Sequence, residues 1–84
     1  MNGISLLAQI KDEDLLFSLV HELGSTFWQQ CEDGTIKVVY FSSHKIVYFN
    51  GKISKDHKKT LECDAWKVKN LDLDETNGFV RITQ

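Results

Sequence analysis

Ile36-Lys37-Val38-Val39-Tyr40-Phe41, Ser42-Ser43-His44-Lys45 and Ile46-Val47-Tyr48-Phe49 form the stretch that decides the fold of this 84-residue chain. Two runs of β-branched and aromatic residues flank a polar tetrapeptide, and the pairs Asp33-Gly34 and Asn50-Gly51 stand outside them as turn signals. This pattern predicts an antiparallel hairpin. A loop of two or four residues sets Phe41 opposite Ile46 and Tyr40 opposite Val47, because side chains alternate strictly between the faces of a strand. One face then carries Ile36, Val38, Tyr40, Val47 and Phe49, which offer water almost nothing and must be core. The other carries Lys37, Val39, Phe41, Ile46, Tyr48 and Asn50, apolar enough to need a cover of its own.

Upstream, Asp12 is placed as an N-cap, with Glu13 and Asp14 at the positive end of a helix over Glu13 to Leu23. Leu16, Leu19, Val20 and Leu23 make its apolar stripe, and Gly24 is the expected C′ residue. Residues 4–10 fit a short helix or an extended cover equally well. Thr26–Cys31 reads as a first strand, turned at Glu32-Asp33-Gly34 into the central hairpin.

Downstream, residues 52–59 hold Lys52, Lys55, Lys58, Lys59 and His57, and read as a basic loop or a single turn capped by Ser54. Between Thr60 and Leu73 the apolar phase changes at Ala65-Trp66, which predicts an extended run with a bulge there. A helix over Lys55–Lys67 competes, since Leu61 and Ala65 are four apart. Asp74 to Gly78 is a turn before a last strand, Phe79–Thr83. The sum is a single domain over residues 1–84 of α+β class: one amphipathic helix on a four- to five-stranded antiparallel sheet, largely a meander.

Composition narrows the function. With 42% hydrophobic and 26% charged residues the chain falls in the globular range, and a formal charge of −2 sets up no overall field for nucleic acid or anionic lipid. Cys31 and Cys63 match neither a zinc ribbon nor a CxxC pair and are expected as reduced thiols. The chain shows no signal-peptide pattern and no stretch resembling a membrane span, so the expected location is cytoplasmic and no membrane partner is expected.

Chemistry-bearing patterns are sparse. His21, His44 and His57 lack any metal-ligand spacing and read as solvated. Asp72-Leu73-Asp74-Glu75-Thr76-Asn77-Gly78 resembles the opening of a calcium loop, but the glycine falls one residue late and Thr83 stands where a bidentate glutamate belongs. No phosphate loop, nucleophile elbow or paired-carboxylate motif occurs, so no cofactor, metal or catalytic residue is expected. The leading expectation is a small non-catalytic protein-binding module: an inhibitor, adaptor or regulator of another protein, or a homodimer. Its face would combine Val39, Phe41, Ile46 and Tyr48 with Trp28 and Trp66, the alternative being that the C-terminal strands or the N-terminal segment close over that face and leave an ordinary monomer. Nucleic-acid binding through Lys52, Lys55, His57, Lys58 and Lys59 ranks second, and a small nuclease using His57 third.

Overall fold

In the computed structural model, which describes residues 6–21, 24–43, 45–74 and 76–84, the central hairpin forms in the register that the alternation requires. In chain order the elements are strand β1 (Leu6–Ile10), helix α1 (Glu13–Val20), and strands β2 (Ser25–Gln30), β3 (Ile36–Phe41) and β4 (Lys45–Gly51). Helix α2 (Lys55–Asp64) and strands β5 (Trp66–Lys67), β6 (Asn70–Asp74) and β7 (Phe79–Thr83) follow. Phe41 faces Ile46, Tyr40 faces Val47, and Val39 faces Tyr48. The fold class is α+β as expected, but its layers differ from the predicted ones.

The main sheet is mixed, in the order β1-β4-β3-β2-β5. Its centre, β2-β3-β4, is the predicted antiparallel meander, whereas β1 runs parallel to β4 and β5 parallel to β2 at the two edges. Residues 6–10 are therefore an edge strand rather than a lid. The strand β4 runs through Asn50-Gly51 instead of turning there, because Gly51 still pairs with Ile36. The Asp33-Gly34 turn is as predicted: Gly34 takes a φ of 90°, and Asp33 Oδ1 accepts from the Thr35 N–H at 3.0 Å and its hydroxyl at 2.6 Å.

Two helices, not one, cover the first face of the sheet. Asp12 caps α1, its Oδ1 accepting from the N–H groups of Asp14 (2.9 Å) and Leu15 (3.3 Å). The helix stops at Val20 with His21 as C-cap, so Gly24 lies beyond it and is not its C′ residue. A side chain at Gly24 would instead collide with the Phe41 carbonyl and the Tyr40 ring, and glycine is what lets the chain pass there. Ser54 caps α2, which replaces the expected extended run; the phase change at Ala65-Trp66 is where this helix ends and β5 begins. Leu16, Phe17 and Leu61 pack with Trp28, Ile36, Val38 and Phe49, flanked by Ile10, Val20, Ile53 and Ala65. Leu19 is half-buried, and Leu23 lies outside the described residues.

On the opposite face lies a separate two-stranded antiparallel sheet, β6-β7, with Leu71 opposite Ile82 and Leu73 opposite Val80. These four apolar residues, with Val68, close over Val39, Tyr48, Phe27, Phe41 and Ile46. Three polar links hold the hairpin in place: Leu71 N–H to Gln29 Oε1 at 2.8 Å, Val68 N–H to the Trp28 carbonyl at 2.8 Å, and Lys37 to Asp72 at 3.9 Å.

Candidate functional site

The second face of the central hairpin is occupied by the chain itself, and this redistributes the residues expected to form a partner surface. Val39 and Tyr48 are buried beneath the β6-β7 hairpin, and Phe41 and Ile46 are half-buried against it. Trp28 belongs to the other face, among the helices, because it sits opposite Val38 in the β2-β3 register. Strict alternation forbids Trp28 from sharing a face with Val39. The expected face of Trp28, Val39, Phe41, Ile46, Tyr48 and Trp66 is therefore corrected: its apolar demand is met internally, and Trp66 alone stays largely open, at 62% exposure.

What places Trp66 is the junction after α2. Ala65 leaves the helix in an extended conformation (φ −131°, ψ 162°) while its N–H still reaches the Leu61 carbonyl at 3.0 Å. The next two residues join the β2 edge, with Trp66 beside Phe27 and Lys67 beside Trp28. The Trp66 ring stacks on Phe27 at 5.4 Å between centroids, and Phe27 meets Phe41 edge-on at 6.0 Å. These are ordinary favourable aromatic geometries, so the exposed ring stands on a braced platform rather than swinging freely. On the other face Lys67 Nζ lies 5.4 Å from the Trp28 ring centroid, a cation–π distance. The Trp28 indole N–H is buried with no hydrogen-bond partner among the described residues. Sequence reasoning missed Phe27, whose parallel pairing with Trp66 joins residues about 40 apart and leaves no local signal.

A second cluster ties the two helices together at their N-termini. Glu13 Oε2 accepts from the Ser54 N–H at 2.8 Å and also meets His57 Nδ1. The His57 ring lies flat on Phe17, 4.1 Å between centroids and 1° between planes. The Ser54 backbone N–H, aided by His57, holds the Glu13 carboxyl below its ordinary value of 4.5. His57 is thus a structural residue, stacked and half-buried between α1 and α2, rather than the solvated histidine expected. Its partners Glu13 and Phe17 carried no signal in the local sequence, being about 40 residues away.

The basic residues sit on α2 and just before it. Lys55 and Lys59 are exposed and Lys58 is half-buried, but Asp56, Glu62 and Asp64 lie on the same ten-residue helix, so lysines and acids balance there. Such balance weakens attraction for phosphate. Lys52 is exposed in the connection before α2, His21 is exposed at the end of α1, and His44 lies outside the described residues. Cys31 is half-buried after β2 and Cys63 exposed on α2; both thiols are free, though neither lies on a strand as expected.

At the tip of β6-β7, Asp74 accepts from the Asn77 N–H at 3.0 Å and its side-chain amide at 2.8 Å. Those bonds, the Asn77 amide foremost, lower the Asp74 carboxyl. Beside it a shallow groove is lined by Asp72, Leu73, Asp74, Thr76 and Arg81. Among the described residues no three His, Cys, Asp or Glu side chains are grouped to hold a metal ion, and no helix is long and apolar enough to cross a membrane. Comparison with protein-family models, with curated proteins and with solved structures finds no match for the chain.

Proposed function

We propose that this protein is a small non-catalytic binding module that engages an extended segment of another protein at the β5 edge of its main sheet, with Trp66 as the anchor. A single observation carries this reading: Trp66 is 62% exposed yet stacked on a braced Phe27, while the aromatics of both core clusters are buried or half-buried. An exposed tryptophan held in place loses little freedom on binding, which is why tryptophan dominates the energetic centres of interfaces. The strand it stands on is outermost in the main sheet, which leaves the indole open for a partner's side chain to cover. An inhibitor, adaptor or regulator would use the site in the same way. The reading sets the module in the cytoplasm, where an exposed thiol such as Cys63 stays reduced.

Peptide display on the immobilised protein tests the proposal. Peptides enriched on the wild type are expected to shift the emission of Trp66, and to lose roughly tenfold or more in affinity for Trp66→Ala, about the effect of a 1.4 kcal/mol anchor. Because Trp66 is exposed, the variant should melt close to the wild type. Enrichment that is unaffected by Trp66→Ala, or no enrichment at all, refutes it.

A further inference from the structure

The other edge of the main sheet carries a separate inference. Strand β1 is outermost, its five residues Leu6–Ile10 run in unbroken parallel register with Lys45–Phe49 of β4, and among the described residues no strand pairs with its outer side. Proteins blunt such edges with charge, proline, a bulge or extreme shortness. The other outer strands here do so: β5 has two residues and Lys67, β6 carries Asp72 and Asp74, and β7 carries Arg81. Leu-Leu-Ala-Gln-Ile has no charge, no proline, no glycine and no bulge.

We infer that β1 pairs with the β1 of a second copy, antiparallel about a two-fold axis, to make one continuous ten-stranded sheet. An isologous contact sets the same strip against itself, so a strip carrying net charge would repel its own copy. In a chain of formal charge −2, the edge without charge is the one where like meets like at no electrostatic cost. Centring the pair on Ala8 sets Leu6 opposite Ile10 and Leu7 opposite Gln9, with Ala8 opposite its own mate. Ala8 is exposed and small, so the two backbones meet at the axis without a side chain to move aside. The axis is normal to the sheet, so both copies keep their helices on one side and their β6-β7 hairpins on the other. The two β5 edges then lie at opposite ends, about 43 Å apart across nine strand spacings. The pairing does not depend on the role proposed for Trp66; where that role holds, the dimer is bivalent.

Sedimentation velocity of the full chain from about 1 to 200 μM is expected to show a reversible monomer–dimer equilibrium, since an interface this small binds weakly. Ala8→Lys and Ala8→Glu are each expected to be monomeric with an unchanged circular dichroism spectrum. Mixed together they should form a heterodimer, because Ala8 faces Ala8 across the axis. Trp66→Ala should dimerise like the wild type. Concentration-dependent protection of the β1 amides in hydrogen exchange of the wild type gives the same answer without any substitution. A monomer throughout the range, a dimer that Ala8→Lys leaves intact, or β1 exchange that does not vary with concentration overturns the inference.

Discussion

Leu71 is the residue on which the cover of the second sheet face turns, and Leu71→Ala measures that cover. Its side chain is fully buried, at 0% exposure, among Val39, Tyr48 and Val68. The substitution removes three carbon groups, worth about 2.4 kcal/mol of transfer free energy at ~0.8 each, and the cavity left behind raises the loss to roughly 3–4 kcal/mol. The hydrogen bond from the Leu71 backbone N–H to the Gln29 side-chain Oε1 survives truncation, so the loss reports packing alone. For a domain of this size each kcal/mol lowers the midpoint by about 4–8 °C, which predicts a drop of roughly 12–30 °C. Urea titration followed by far-ultraviolet circular dichroism gives the free energy, and thermal melting gives the midpoint. Phe79→Ala is the internal control: this ring is 43% exposed on the next strand and should cost about 1 kcal/mol or less. A Leu71→Ala loss below about 1 kcal/mol, or one no larger than that of Phe79→Ala, would refute the hairpin as the cover.

Two further substitutions probe the helix face. Gly24→Ala sets a methyl 2.5 Å from the Phe41 carbonyl and 2.6 Å from the Tyr40 ring, so a loss of about 1–3 kcal/mol is expected in denaturant titration; a neutral result would sink the close-approach role of Gly24. Glu13→Gln tests the tie between α1 and α2. The wild-type carboxyl is lowered from 4.5 chiefly by the Ser54 N–H, so its stabilisation is complete above that value and disappears as pH falls through the lower folded-state value. The variant should therefore be less stable than the wild type at pH 7 and converge with it once the pH falls below the lowered folded-state value, in pH-dependent melting; a gap that persists unchanged in acid counts against this tie.

How much of this was legible from residues alone follows from the range of each interaction. The β3-β4 register and the division of its side chains were readable, because both strands alternate cleanly and lie adjacent in the chain. The caps Asp12 and Ser54 were readable for the same local reason. Helix α2 was readable only as the competing alternative that Leu61 and Ala65 suggested, since its first six residues, Lys55 to Thr60, are all polar or charged and its one buried side chain is Leu61. A single buried residue with one half-buried alanine four positions on leaves only a faint 3.6-residue period. The parallel partners of β1 and β5 left no local trace either. The cover over Val39 and Tyr48 was half visible: Leu71, Leu73, Val80 and Ile82 alternate as a hairpin with one apolar face, and that face had to go somewhere. Trp66 was named for the right exposure but joined to the wrong neighbours, because Trp28 points to the opposite face.

The parallel edges also constrain the order of events during synthesis. Leu6 pairs with Lys45 and Phe27 with Trp66, each across about 40 residues, so neither edge can close until a long stretch of chain has followed it. The meander β2-β3-β4 needs only short turns and is free to form first. At about 5–20 residues per second, β1 leaves the ribosome several seconds before its partner β4 emerges. For that interval a neutral apolar segment waits with neither edge occupied, and nascent chains on one polysome would present that segment side by side.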